Sequence, residues 1–83
     1  MTGPEILAAV KAERARQSRL WDRDHDHGHG DCSSPDVPGS VKVAVLTEEV
    51  GKVARAFLDG DVPGLRRELT EVVSVGWAWL EGL

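Results

Sequence analysis

The chain has 83 residues, a length that allows one small domain and no second one. Its 14 acidic and 10 basic residues give a formal net charge of −4, which argues against a general nucleic-acid-binding module. Hydrophobic residues make up 41%, too many for a disordered chain, and no apolar run approaches the roughly 18 residues of a membrane span. The start lacks the basic region of a secretory signal, and the single cysteine fits a reducing compartment, so we expect a cytoplasmic protein.

A first helix is predicted over residues 4–21. Pro4 suits a first turn, and Thr2 or Gly3 can cap it. Glu13 and Gln17 lie within about 20° of the apolar line of this helix. Burying these two side chains alone would be costly, so either they have partners or this end of the helix leaves the core.

Residues 22–40 are rich in turn-forming residues and poor in apolar ones, so they are predicted to form a loop. His25, His27, His29 and Cys32 could hold a transition metal. Alternate spacing in a glycine-rich loop is not typical of a closed metal site, and a flexible, solvated loop is the preferred interpretation. Cys32 has no nearby base in a fixed position, so a nucleophilic role is not expected.

Two further helices are predicted over residues 41–58 and 63–81. Ser40 is a candidate cap for the first of them, and Asp59-Gly60-Asp61 reads as a helix stop followed by a new cap. The short connection predicts an antiparallel helical hairpin, so the fold class is all-α. The apolar residues expected to form the buried stripes are Val43, Leu46, Val50, Val53 and Phe57 in the second helix and Leu65, Leu69, Val72, Gly76, Trp79, Leu80 and Leu83 in the third.

Acidic residues flank the seam of this hairpin. Glu49 in the second helix and Glu68 in the third each lie about 60° from the apolar stripe, and Glu71 lies about 120° from it. Antiparallel packing can therefore bring these three carboxylates together, with Glu48 pointing further out. Carboxylates that meet without basic partners repel one another, and a hard cation such as Mg²⁺ removes that repulsion. The alternative is an ordinary solvated acidic flank.

The same residues carry a resemblance to a known family. The pattern Glu48-Glu49-x-x-Lys52, a spacer of 15 residues, then Glu68-x-x-Glu71, resembles the Glu-Glu-x-x-Glu and Glu-x-x-Asp signature of the MazG-like nucleoside triphosphate pyrophosphohydrolases. The segment from Glu13 through Trp21 to His25, and the ending from Val75 to Glu81, are also similar to small phage- and bacterial-type members. The resemblance covers nearly the whole chain except the middle of the loop.

The resemblance implies an all-α helical bundle, formed by dimers or tetramers, that hydrolyses a nucleoside triphosphate to the monophosphate and pyrophosphate. It implies Mg²⁺ as the cofactor, with Mn²⁺ as the alternative, held by Glu49, Glu68 and Glu71. Glu48 would then be a helper or a general base. By the same resemblance, Glu13, Gln17 and Trp21 would support the site or the nucleotide, with Trp21 stacking on a base or belonging to the bundle core.

Two positions depart from the family signature. Lys52 stands where a third glutamate is usual, and Glu71 stands where aspartate is usual. An inward-pointing Lys52 would oppose Mg²⁺ binding, whereas a lysine at the rim could turn away or contact a triphosphate. A second hypothesis is therefore a catalytically silenced helical binding or assembly module.

The tryptophans of the third helix predict an oligomer. Trp77 and Trp79 diverge by about 160°, so only one of them can face the intramolecular core. Trp79 suits that core, and Trp77 would then be exposed in a monomer, which favours a subunit interface.

Overall fold

The computed structural model describes all 83 residues and contains three α-helices: α1 (Gly3–Trp21), α2 (Gly39–Leu58) and α3 (Val62–Glu81). The helices pack against one another, which confirms the all-α prediction. The segment between α1 and α2 adds one small hairpin, formed by β1 (Asp24–His25) and β2 (Gly28–His29). None of the three helices combines the length and the apolar character that a bilayer crossing requires.

A capping box starts α1. The Thr2 hydroxyl accepts a hydrogen bond from the backbone N–H of Glu5, and the Glu5 carboxylate accepts one from the backbone N–H of Thr2, both at 3.2 Å. These bonds satisfy donors that the first helical turn leaves free, and they confirm Thr2 as the cap. Further along, α1 crosses α3 where Val10 is buried and its carbonyl oxygen lies 3.5 Å from the Ser74 hydroxyl.

The hairpin of α2 and α3 turns at Asp59–Asp61. Gly60 adopts a φ of +66°, and the Asp61 carboxylate accepts a hydrogen bond of 2.9 Å from the backbone N–H of Gly64. Asp61 is therefore the predicted cap of α3. The start of α2 differs from the prediction, because the helix begins at Gly39 after Pro38, and Ser40 lies inside its first turn.

The core is small and lies where α3 meets its neighbours. Its buried apolar side chains are Val10, Val37, Ala56, Val75 and Ala78. The predicted stripe of α2 is only partly covered, since Val43, Val50 and Phe57 are more than half exposed. The reason is that α1 packs chiefly against α3, which leaves one face of α2 without a partner in this chain.

The loop between α1 and α2 folds back against the helices. Gly28 has a φ of +116°, and a Cβ atom at this position would lie 2.6 Å from the carbonyl oxygen of Asp36, so the turn requires glycine. Val37 is buried, and Asp31 accepts a 2.8 Å ion-pair hydrogen bond from Arg14 of α1. The loop is thus an ordered wall of the molecule, stabilised by a β-hairpin that the sequence analysis did not predict.

Candidate metal centre and adjoining cavity

Three glutamates from the two arms of the hairpin converge. Glu49 of α2 and Glu68 and Glu71 of α3 each contribute one carboxylate oxygen, and these oxygens lie within 4.8 Å of one another. Glu68 and Glu71 are one turn apart on the same face of α3, and antiparallel packing brings Glu49 opposite them. The structure therefore brings together the three carboxylates that the spacing singled out.

The cluster is buried enough to make its charge costly. The Glu49 and Glu68 side chains are only 15% and 16% exposed, and each has an Oε2 atom that is buried without a hydrogen-bond donor. Burial raises the pKa of Glu71 to about 7, and the neighbouring carboxylates of Glu49 and Glu68 act in the same direction. A shared proton or a bound cation is needed to relieve this arrangement.

The donor set suits a hard divalent cation. All three groups are carboxylates, the oxygen ligands that Mg²⁺ and Mn²⁺ prefer, and neither a thiol nor an imidazole belongs to the group. Three protein ligands leave coordination positions free for water and for a substrate oxygen. The residues present therefore fit the Mg²⁺ or Mn²⁺ ion that the sequence analysis implies.

Lys52 and Glu48 lie at the rim of the cluster. The Lys52 ammonium donates a 3.3 Å hydrogen bond to Glu49 Oε1, and this bond raises the pKa of Lys52. Glu48 is largely exposed, and its carboxylate lies 4.0 Å from the same ammonium. Lys52 bonds only to Oε1 of Glu49. The other oxygen, Oε2, is buried and accepts no hydrogen bond. The Lys52 ammonium thus lies beside the three-glutamate cluster and not between its carboxylates.

Glu13 and Gln17, which lie along the apolar line of α1, both have hydrogen-bond partners. Arg16 donates two hydrogen bonds of 2.6 and 2.7 Å to the two oxygens of Glu13, and the Gln17 amide donates a third at 3.2 Å. The bond from Arg16 lowers the pKa of Glu13, so this carboxylate stays ionised. Gln17 is buried, whereas Glu13 does not join the three-glutamate cluster.

A cavity of about 500 Å³ adjoins the cluster. Glu48, Glu49, Lys52 and Glu71 line one side of it. The end of α1 and the folded loop form the opposite side. The remaining residues along its walls are Arg16, Gln17, Leu20, Trp21, His25, His27, Gly30, Asp31, Cys32, Val37, Val41, Val45 and Val75. A cavity of this volume that combines apolar side chains with charged groups is suited to a small molecule.

Trp21 is the large aromatic group of that cavity. Its ring meets the His25 ring edge-on at a centroid distance of 5.4 Å, and the Arg23 guanidinium lies 5.1 Å from its centroid. Trp21 is partly exposed, so one side of the indole remains accessible to a ligand. This geometry is compatible with stacking on a planar group, and the Trp21 side chain is not part of the buried core.

The histidines of the loop bond within the loop. His25 Nε2 lies 2.8 Å from the carbonyl oxygen of Gly30, and the backbone N–H of His27 donates to His25 Nδ1. The two ring nitrogens of His29 contact Asp24 and Asp22, and both contacts raise the pKa of His29. No three metal-ligating side chains of this loop come together. Burial raises the pKa of the Cys32 thiol, and the charge of Asp31 adds to this effect, which disfavours a nucleophilic thiolate.

Sequence analysis missed two contributors to the site. Arg16 lines the cavity and fixes Glu13, and its i, i+3 spacing from Glu13 was a signal that could have been read. Asp31 in the cavity wall is paired with Arg14 across 17 positions, and no local pattern predicts that contact.

Comparison of the chain with protein-family models, with curated proteins and with solved structures found no match.

Proposed function

We propose that this protein is a Mg²⁺-dependent hydrolase that converts a nucleoside triphosphate and water to the nucleoside monophosphate and pyrophosphate. The observation that carries the proposal is the convergence of Glu49, Glu68 and Glu71, with two buried oxygens that have no donor. The adjoining cavity supports it, since its volume and apolar wall suit a base and a sugar. The resemblance to the MazG-like family points to the same reaction.

Each residue of the site would have a separate role in such a reaction. Glu49, Glu68 and Glu71 would hold the cation, which when bound supplies charge stabilisation at the phosphate and a more acidic water. Glu48 at the rim has its carboxylate free to accept a proton, because its contact with Lys52 is long. Trp21 would contact the base, and Gln17 would present its amide to the ligand from the cavity wall.

The direct test is pyrophosphate release from a panel of ribo- and deoxyribonucleoside triphosphates. We expect release by the natural chain with Mg²⁺ or Mn²⁺ and none with chelator. Glu49→Gln keeps the shape of the side chain and removes its charge, so release should fall at least ~100-fold. Asp59→Asn is the matched control, because Asp59 lies exposed at the end of α2 and pairs only with Arg55. Absence of turnover across the whole panel would contradict the proposal.

A second candidate function is supported by one contact. The Lys52 ammonium bonded to Glu49 places a positive charge beside the cluster, and this charge opposes a divalent cation. A chain with this lysine could be a silenced binding or assembly module. Under this alternative the natural chain has no turnover.

Lys52→Glu separates the two candidates. We expect the variant to bind Mg²⁺ about tenfold more tightly than the natural chain, since it replaces a cation by a further carboxylate at a partly exposed position. Lys11→Glu makes the same change of charge at an exposed lysine that forms no ion pair, and it should leave the affinity unchanged. Turnover that appears only in Lys52→Glu identifies a silenced chain, whereas turnover in the natural chain supports the enzyme. Equal Mg²⁺ affinity in all three proteins would contradict the assigned site.

The surface of the chain supports a homo-oligomer. Its accessible area of 5438 Å² exceeds the roughly 4,900 Å² expected of a monomeric protein of this mass. Its radius of gyration of 13.1 Å likewise exceeds the roughly 12 Å expected for a compact domain of this length. Large apolar side chains account for much of the exposed hairpin face: Val43, Val50, Phe57, Leu69, Val73, Trp77 and Leu80. We infer that a second copy covers this face, in a dimer or a tetramer.

Trp77→Glu should therefore produce monomers. Trp77 is 40% exposed in the single chain. A glutamate charge at this position would destabilise an interface between subunits but would be tolerated on the surface of a monomer. Sedimentation equilibrium should show an oligomer for the natural chain and 9.0 kDa species for the variant. Leu7→Glu, on exposed α1, should remain oligomeric. A natural chain that stays monomeric at its highest soluble concentration would refute the inference.

A further inference from the structure

A basic groove lies between α1 and α3, next to the glutamate cluster. Its volume is about 690 Å³, and Arg16, Arg19, Arg66 and Arg67 line it. The chain has seven arginines and a net charge of −4, so more than half of its guanidinium groups are gathered on one groove of an acidic protein. Like charges repel, and such a concentration is stabilised when an anion occupies the space between them.

Two of these four arginines form no ion pair within 4.0 Å. Arg16 is bonded to Glu13, and Arg67 contacts Glu68 at 3.8 Å, whereas Arg19 and Arg66 form no ion pair. The groove also contains three carboxylates, and the charge of Arg66 acts on one of them, Glu5. Glu5 accepts a hydrogen bond in the capping box of α1, Glu13 accepts bonds from α1, and Glu71 faces the cluster. The free donors of the groove are therefore the guanidinium groups of Arg19 and Arg66.

The groove and the 500 Å³ cavity meet at the cluster. Arg16 and Glu71 line both spaces, so a ligand that extends past these two residues would occupy parts of both. Seven of the 17 residues that line the cavity are hydrophobic, and the groove carries arginines on both of its helices. This division fits a ligand with an organic part and a chain of phosphates.

We propose that the α1–α3 groove is a binding site for a short phosphate chain, such as pyrophosphate or tripolyphosphate, held by Arg19 and Arg66. Planar guanidinium groups match the oxygens of phosphates and bond to them bidentately. Binding of the free anion requires neither the metal nor turnover. Its role as the place of the leaving pyrophosphate rests on the proposed function.

Calorimetry with inorganic pyrophosphate in the presence of chelator tests the site on the full chain. We expect the natural protein to bind pyrophosphate and Arg66→Ala to bind it at least ~10-fold more weakly. Arg66→Lys should have an intermediate affinity, because lysine keeps the positive charge but cannot form the two parallel hydrogen bonds of a guanidinium group. Arg55→Ala is the matched control, because Arg55 is an exposed arginine outside the groove. Both arginines are exposed, so the variants should fold, and circular dichroism checks this.

Several results would overturn the proposal. The natural chain could fail to bind pyrophosphate, Arg55→Ala could weaken binding as much as Arg66→Ala, or sulfate at equal ionic strength could bind as tightly as pyrophosphate. Tighter binding of a single-stranded oligonucleotide than of tripolyphosphate would assign the groove to nucleic acid and equally refute a short phosphate chain. Glu49→Gln should still bind pyrophosphate in chelator. Pyrophosphate binding without turnover contradicts only the proposed enzyme, and turnover without pyrophosphate binding contradicts only this site.

Discussion

Glu71→Gln should abolish Mg²⁺ binding and, at pH 8.5, make the metal-free protein more stable than the natural chain. The folded pKa of Glu71 is about 7, compared with 4.5 for the free group, because burial and the neighbouring Glu49 and Glu68 disfavour its charged form. At pH values between these two pKa values, Glu71 is ionised in the unfolded chain and still protonated in the folded chain. Stability therefore falls as the pH rises from about 4.5 to about 7, and it is constant above that.

The size of the effect follows from that shift. A full conversion of the shift into free energy would give more than 3 kcal/mol, and the solvent access of this partly exposed cluster reduces it to about 1–2 kcal/mol. In a chain of this length, that free energy corresponds to roughly 5–15 °C in melting temperature. Glutamine keeps a donor for Glu49 and Glu68 and carries no charge, so the melting temperature of the variant should not fall over this pH range.

Thermal unfolding at pH 5.5 and pH 8.5, with chelator and with Mg²⁺, measures both expectations. Mg²⁺ should restore the stability of the natural chain at pH 8.5, because the cation replaces the lost proton, and it should leave Glu71→Gln unchanged. Asp59→Asn should behave like the natural chain, since Asp59 is distant from the cluster in the exposed turn. A natural chain whose melting temperature does not respond to Mg²⁺ would show that the carboxylates hold no cation.

Arg14→Ala should lower the stability by about 3 kcal/mol, which is a large part of the total for so small a domain. The Arg14 and Asp31 side chains are 13% and 7% exposed, and they form a 2.8 Å ion pair that joins α1 to the loop. Burial opposes ionisation of Asp31, but hydrogen bonds from Ser33 and Arg14 outweigh it and hold the pKa of Asp31 below its ordinary value. Removing the guanidinium would leave a buried carboxylate without its cation.

Urea unfolding at neutral pH measures this loss, and Glu81→Gln is the control within the same network. Glu81 accepts a 3.1 Å bond from Arg14 but is half exposed, so its replacement should cost less than about 0.5 kcal/mol. Arg14→Ala with Asp31→Asn should recover part of the stability, because the buried charge is gone. Equal losses in Arg14→Ala and Glu81→Gln would show that the buried pair contributes nothing specific.

Local chemistry explains which parts of the fold could be predicted from the sequence. Thr2, Pro4, Asp61 and the glycine of the α2–α3 turn specify helix ends through contacts within four residues, and the structure has these ends where they were expected. The start of α2 was misplaced because Ser40 suggested a side-chain cap, whereas the helix begins at Gly39 with no cap of this kind. Helix spacing likewise predicted that Glu49, Glu68 and Glu71 would meet.

Contacts between distant parts of the chain could not be predicted in this way. The loop contains many turn residues, but its folded state depends on Arg14 reaching Asp31 and on Gly28 passing the Asp36 carbonyl. The periodicity of α2 indicated an apolar stripe and could not say what covers it. Val43, Val50 and Phe57 are exposed because this chain supplies no helix to that face. The basic groove was missed for the same reason, since its arginines on α1 and those on α3 are at least 47 positions apart in the sequence.

The folded loop has a consequence for protein engineering. The carboxylates stand on two regular helices, while the facing wall of the cavity is built from an irregular segment joined to the scaffold through Arg14 and Val37. Libraries that vary the tip of the β-hairpin around Asp26 and His27 can therefore reshape the cavity while the three-glutamate cluster keeps its spacing. The shape of the cavity wall and the spacing of the three carboxylates can thus be varied independently in this small scaffold.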